Sequence, residues 1–298
     1  MSLRLSILQS ALNWENPAAN RAMFSQKLAP LRGATDLVVF PEMFSTGFSM
    51  NAAALAEPMD GPTVRWMEIT AKDLGAAVTG SFICADGGKY FNRLVFMRPD
   101  GQFDFYDKKH LFTLAGEQEY FSPGQKRLTL EWQGWRMCPL ICYDLRFPVW
   151  SRNPTPDPSP EGRGDVERSA TNAAERSSVF STSPIPSGEG SGVGLTKTYD
   201  LLLYVANWPA RRAHHWRSLL TARAIENQAY VVGVNIVGKD GNGLEYTGDS
   251  AVIDYSGQII FQVSGQEDVR TAKLSLEDLK QYRRQLPFLQ DADVYKLC

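Results

Sequence analysis

Four stretches of this chain hold side chains able to do nucleophilic and acid–base chemistry. One ends in a thiol: Pro139-Leu140-Ile141 is an apolar run that reads as the end of a buried strand, and Cys142, Tyr143, Asp144 and Arg146 follow at once. A strand end that turns polar this abruptly is where α/β proteins place reactive groups. A lone thiol is more often a small buried hydrophobe, so the other three stretches decide the matter. Glu42 comes straight after Asp36-Leu-Val-Val-Phe40 and Pro41, which carries a carboxylate to the rim of a sheet. Lys108 ends the strand-like run from Phe103 and precedes apolar Leu111-Phe112. Glu117 lies in the loop bounded by Gly116 and Gly124. Taken singly, Glu42 and Glu117 are commoner as solvated acids, and Lys108 is about as often part of a solvated Lys-Lys pair.

Together they make a chemically coherent set. An unactivated thiol has a pKa of about 8.5, so little of it is thiolate at neutral pH. Glu42 can take the thiol proton and return it to a leaving group. The Lys108 ammonium would favour the thiolate and then stabilise a tetrahedral oxyanion, with the Tyr143 backbone N–H as a second donor. Glu117 would orient Lys108 or the substrate nitrogen. The set suits acyl transfer through a thioester, and that chemistry needs no metal or organic cofactor.

The elements that must position these groups are legible as alternating strands and helices. Leu3, Leu5 and Ile7 alternate as a strand. Asn16-Pro17 opens a helix carrying Phe24, Leu28 and Leu31, and Asp36 to Phe40 is a buried strand. Gly61-Pro62 opens a helix with Val64, Met67, Ala71 and Leu74 on one face, stopped by Gly75. Strands are expected over 77–84, 89–98, 103–108, 128–132 and 135–142, with turns at Asp86-Gly-Gly88, Pro99-Asp-Gly101 and Gln133-Gly134. The pattern then recurs: a strand over 199–206, a helix over 214–228, and strands over 230–237, 250–254 and 258–263. A last helix is capped at Ser275-x-x-Asp278. Strand–helix alternation followed by hairpins, twice over, predicts two mixed sheets face to face with helices outside, a four-layer α-β-β-α sandwich. Strands apolar on both faces, such as Leu-Val-Val-Phe, fit sheets covered on both sides.

The chain's 298 residues are 43% hydrophobic and 21% charged, with a net charge of -2, which allows a sizeable core and implies no polyanionic partner such as nucleic acid. No apolar run approaches the roughly 20 residues that span a bilayer. The N-terminus does not read as a signal peptide. Four cysteines in a chain of this length are not a disulfide framework, so a reducing, cytoplasmic setting is expected. One segment breaks the composition: of the 42 residues from Asn153 to Gly194, 20 are Gly, Pro or Ser. It offers too little apolar surface to offset its ordering entropy. A single domain over 1–298, interrupted by a disordered insert at about 153–195 without catalytic role, is the expected organisation.

The motifs Phe40-Pro-Glu-Met-Phe44, Tyr106-Asp-Lys-Lys-His-Leu-Phe112, Leu140-Ile-Cys-Tyr-Asp-Leu-Arg-Phe-Pro148 and Val205-Ala-Asn-Trp-Pro209, in this order, resemble the nitrilase, or carbon–nitrogen hydrolase, superfamily. Ala222-Arg-Ala-Ile-Glu-Asn-Gln228 and Tyr246-Thr-Gly-Asp-Ser250 extend the likeness over nearly the whole chain outside the insert. The match is most similar to the bacterial omega-amidase branch. The resemblance implies a Glu42–Lys108–Cys142 triad supported by Glu117, with Lys109 as the spacer before His110. It also implies hydrolysis of omega-amides of 2-oxo dicarboxylic acids such as 2-oxoglutaramate, and a homodimer. The substrate's distal carboxylate would need a cation, for which Arg146 offers a fork, and Phe44, Tyr143 and Trp208 would wall the pocket.

Rival chemistries fit less well. A Cys–His site would draw on His110, His214 or His215, without the surrounding sequence of papain-like enzymes. Zinc held by Cys138, Cys142 and the His214-His215 pair would need thiols closer than the ~13 Å that four strand residues impose. The remaining alternatives share the fold: a hydrolase of N-carbamoyl compounds, monocarboxylic amides or nitriles, or a catalytically silent binding or scaffold member.

Overall fold

The computed structural model describes residues 1–152 and 199–292. The expected disordered insert and Cys298 lie outside the described residues. β1 (Ser2–Gln9) buries Leu3, Leu5 and Ile7. α1 (Pro17–Leu28) starts where Asn16 accepts the Ala19 N–H and Pro17 occupies the first turn, and it buries Phe24 and Leu28. β2 (Leu37–Val39) is buried throughout. After the short α2 (Ala52–Leu55), α3 (Pro62–Leu74) buries Val64, Met67, Ala71 and Leu74 and ends at Gly75, whose φ of 65° supplies the left-handed cap. β3 (Ala77–Asp86), β4 (Lys89–Met97) and β5 (Phe103–Asp107) then form an antiparallel meander.

After α4 (Glu117–Tyr120), the hairpin of β6 (Leu130–Trp132) and β7 (Trp135–Ile141) opens the second sheet. The single-turn α5 (Pro148–Ser151) follows, and past the insert come β8 (Leu201–Val205), α6 (Ala213–Asn227), β9 (Tyr230–Val234) and β10 (Val237–Lys239). β11 (Glu245–Ile253), β12 (Ile259–Ser264), β13 (Asp268–Ser275) and α7 (Leu276–Gln285) complete the order, α7 being capped by Ser275 as expected.

The sheets are mixed. One runs β13-β1-β2-β3-β4-β5; the other runs β10-β11-β9-β8-β7-β6, with β12 also on β11. Each has three adjacent parallel strands, β1-β2-β3 and β7-β8-β9. β1 packs on β9 and β11, and β4 on β7, so the sheets face each other, with α3 outside the first and α6 outside the second. This is the four-layer α-β-β-α arrangement. The carboxyl ends of β2, β7 and β8 open at the same edge of the sandwich, the place where α/β folds carry their chemistry.

Three strands depart from expectation by more than two residues. The strand expected over 230–237 is broken at Asn235, whose side chain bonds Trp208 N, Trp208 O and Gly248 O and takes the backbone out of the ladder. The strand expected over 250–254 starts at Glu245, because a register shift between Gly248 and Ser250 breaks its alternation. β13 was not expected: it is half-exposed and polar, yet it pairs with β1 over eight residues.

Candidate active site

Four charged or polar side chains meet where the two sheets open. Glu42 follows β2, Lys108 follows β5, Glu117 begins α4 behind Gly116, and Asn92 comes from the middle of β4; all are buried. Lys108 Nζ lies 2.9 Å from Glu42 Oε1, and 3.0 and 2.9 Å from Glu117 Oε1 and Oε2. Asn92 Nδ2 donates to Glu42 Oε1 at 2.8 Å and to Glu117 Oε1 at 3.4 Å. The backbone N–H groups of Asn207, after β8, and of Phe112 complete the two carboxylates at 2.8 and 2.6 Å. A buried ammonium survives desolvation only when paired and hydrogen-bonded in this way. Burial by itself would lower the Lys108 pKa, but Glu117 and Glu42 outweigh it and hold the ammonium above its ordinary value. Burial, followed by the neighbouring Glu42 charge, raises Glu117 against the pull of Lys108.

Cys142 stands at the end of β7 with a φ of 44°, a left-handed conformation uncommon outside glycine and concentrated at functional sites. Its thiol faces the Glu42 carboxylate, the Lys108 ammonium and the Asn207 backbone N–H. Burial and then the Glu42 charge push the thiol well above its ordinary pKa, more than Lys108 lowers it. The pull of Lys108 on the thiol is thus outweighed by burial and Glu42. The turn at Cys142 is fastened from below by Asp144. Its Oδ2 accepts from Ile141 N at 3.0 Å and Tyr106 OH at 2.8 Å, and its Oδ1 accepts the His110 N–H at 3.1 Å. His110 Nδ1 also lies 2.7 Å from Oδ1, and its ring stacks on Phe147. His110 is thus engaged in the scaffold of the turn.

Above the thiol a cleft of about 360 Å³ is lined by Lys108, Cys142, Tyr143, Arg146 and Trp208, among others. Tyr143 meets Phe112 edge-on, and Trp208 packs on Trp216 and donates Nε1 to the Arg212 carbonyl. Phe44 is not there. It is fully buried among Phe24, Phe40 and Trp66, so the expectation that it walls the pocket is corrected. Met43 has a φ of 43°, which turns the chain after Glu42 and sends Phe44 into the core. Lys109 points away from the cluster, its Nζ 5.6 Å from the Trp150 ring centroid. Asn92, Asn207, Asp144, Arg211 and Arg212 were not assigned roles from sequence. For Asn92 a signal existed: with Arg93 it interrupts the apolar run from Tyr90 to Met97. Among the described residues no His, Cys, Asp or Glu cluster has the arrangement of a metal site. None of their helices is long and apolar enough to cross a membrane.

Known proteins resemble the chain over nearly its whole length. The carbon-nitrogen hydrolase family model matches residues 6–153 and 196–284. The chain is 41% identical to the omega-amidase YafV of Escherichia coli over 99% of this chain and 98% of that protein. It is 28% identical to the 2-oxoglutaramate amidase of Bacillus subtilis over 98% of each. The crystal structure of a CN-hydrolase superfamily protein from Xanthomonas campestris, which carries an arsenic adduct in its active site, superimposes with a TM-score of 0.85. That protein is 42% identical, and the match covers 100% of both chains. The fold, the family match and the amidase relatives together establish that this chain belongs to the carbon–nitrogen hydrolase family and is a hydrolase acting on amides.

Proposed function

We propose that the chain hydrolyses the omega-amides of 2-oxo dicarboxylic acids, 2-oxoglutaramate and 2-oxosuccinamate, releasing ammonia through a Cys142 thioester. The observation that carries this reading is the Lys108 ammonium fixed between two buried carboxylates beside the Cys142 thiol, at the foot of a cleft with Arg146 on its wall. As Sγ attacks the amide carbon, its proton passes to Glu42, the base that faces it. The oxyanion forms beside Lys108 Nζ, with the Tyr143 backbone N–H as second donor. Glu42 then gives the proton to the departing nitrogen, ammonia leaves, and the thioester remains. Water activated by Glu42 attacks the thioester, and the thiol recovers its proton. Glu117 keeps Lys108 in place throughout.

The substrate choice rests on the omega-amidase and 2-oxoglutaramate amidase relatives and on Arg146, a fork suited to a distal carboxylate. Ammonia release from 2-oxoglutaramate and 2-oxosuccinamate, set against glutamine, N-carbamoyl amino acids and butyramide, tests it, with Cys142→Ala as control. Preference for a carbamoyl compound or a neutral amide would replace this substrate class. Binding without turnover in the unmodified chain would make it a silent member. A cytoplasmic homodimer is part of the same reading, and light scattering of the purified chain tests the dimer.

A further inference from the structure

Several half-buried arginines elsewhere in this fold have acids: Arg21 has Glu57, Arg93 has Asp86 and Asp107, and Arg283 has Asp200. The two half-buried arginines of the cleft, Arg146 and Arg212, have no acid partner among the described residues, and the exposed Arg211 beside them has none either. Arg146 Nη2 lies 2.9 Å from His215 Nδ1, and its guanidinium sits 4.9 Å from the Trp208 ring centroid. Arg212, from the turn before α6, has its guanidinium 5.1 Å from the Phe112 ring centroid, and no described carboxylate pairs with it. Burial and the neighbouring Arg211 and Arg146 charges hold Arg212 below its ordinary pKa. Asp240, the acid on the cleft wall, is already taken. Its Oδ1 accepts the Asn242 and Leu244 N–H groups and its Oδ2 the Tyr246 hydroxyl. Two guanidiniums on one cleft wall, each over an aromatic face and without a carboxylate partner, make a site for an anion.

We infer that Arg212 is the specificity-determining residue of the cleft, forming with Arg146 a two-guanidinium clamp on the carboxylate and adjacent 2-oxo oxygen of the substrate. This rests on the omega-amide reading of the site. A 2-oxo acid head offers only acceptors, and a guanidinium offers only donors. A 2-amino acid of the same length puts an ammonium where the oxo group would sit, setting donor against donor and charge against like charge. A neutral amide leaves both guanidiniums unsatisfied. Selection of 2-oxoglutaramate over glutamine follows from the clamp without any steric element.

The test compares the full-length chain with R212A and R212K on 2-oxoglutaramate, glutamine and butyramide. In R212A the ratio of kcat/KM for 2-oxoglutaramate to that for butyramide falls about 10- to 100-fold, the range for losing a hydrogen bond to a charged group. The fall lies mainly in KM, R212K recovers part of it, and discrimination against glutamine weakens. An equal loss on all three amides would mean that Arg212 is merely structural and would overturn the inference. A second readout needs no turnover: protection of Cys142 from iodoacetamide by 2-oxoglutarate. Its half-protecting concentration rises by a similar factor in R212A. If 2-oxoglutarate protects through Arg212 while no omega-amide is hydrolysed, the omega-amide reading falls and the clamp stands. If omega-amides are hydrolysed and R212A shifts neither ratio nor protection, the clamp alone falls.

Discussion

Replacing Glu42 by Gln separates two properties usually taken together, the reactivity of the thiol and the activity of the enzyme. In the resting site burial and the Glu42 carboxylate both hold the Cys142 proton on, and Lys108 opposes them less strongly. The substitution removes one of the two restraining terms and keeps the cation, because Lys108 retains both oxygens of Glu117. A unit charge at about 4 Å with an effective dielectric of about 20 is worth about 4 kcal/mol, or about 1,000-fold in thiolate fraction. A less basic thiolate is also a weaker nucleophile, which cancels somewhat less than half of that gain on a logarithmic scale. About 30-fold remains. E42Q should therefore be alkylated by iodoacetamide at Cys142 at least about tenfold faster than the unmodified chain at neutral pH, while releasing no ammonia. Mass spectrometry of the tryptic peptide Met137–Arg146 reads the modification at Cys142. Its other thiol, Cys138, is pushed up to about 12 by burial and stays silent, and Cys142→Ser gives the background. Equal or slower alkylation of E42Q, with fold intact by circular dichroism, would refute the assignment of Glu42 as the group that holds and moves the thiol proton.

Three further outcomes follow from the same contacts. D144N leaves buried donors from Ile141, Tyr106 and His110 facing an amide, so the turn at Cys142 loosens; kcat should fall about tenfold or more with KM little changed, at a stability cost of about 1–3 kcal/mol. Steady-state kinetics with a urea melt separate the two effects. F44L should cost about 1–2 kcal/mol of stability and leave KM unaltered, since Phe44 packs in the core; a changed KM would return it to the pocket. Asp36 accepts three hydrogen bonds from Arg4, which hold its carboxyl below the ordinary value. A carboxyl whose folded pKa lies below its unfolded value contributes stability above the unfolded value and loses it as pH falls through the folded one. The urea midpoint of D36N should therefore lie below that of the unmodified chain at pH 7, with the gap closing below about pH 4, the ordinary range of an aspartate; a gap constant down to pH 2 would exclude the ion pair as its source.

The fold was legible because its inner strands are short runs apolar on both faces and its helices carry their caps in the sequence, as Asn16-Pro17 and Gly75 do. That Glu42, Lys108 and Cys142 belong together was expected from the resemblance of their motifs, in order, to the carbon–nitrogen hydrolase family; taken singly, each reads as a buried thiol or a solvated charge. What a residue does across strands was not legible. Asn92 stands 50 positions from Glu42 and 25 from Glu117, and only the pairing of β4 with its neighbours brings its amide to both. Arg212 carried no role in the sequence reading; only the turn after β8 brings its guanidinium over Phe112. Phe44 was misplaced because its closeness in sequence to Glu42 does not carry through Met43, whose positive φ turns the next side chain into the core. β13 escaped because an outer strand half open to water lacks the apolar run that marked the others.

One lysine held by two glutamates is a costly arrangement in a buried site, and the proposed reaction gives it a reason. When Glu42 takes the thiol proton it ceases to be a counterion for Lys108, at the moment when the new negative charge appears on the substrate oxygen. A lysine paired with Glu42 alone would then sit in a dry cavity with a single partner still forming, and would be drawn to lose its proton or move. Glu117, bound to Nζ through both oxygens and fixed in turn by the Phe112 N–H, keeps its hold on Lys108 through that step, and the loss of the Glu42 charge removes one of the causes that raise its own pKa. The ammonium therefore does not reorganise while charge passes from Glu42 to the oxyanion, and the absence of reorganisation is what makes a fixed charge effective in a low-dielectric site. Asn92 extends the same logic: its amide spans the two carboxylates, so neither can swing toward the lysine when the other is neutralised.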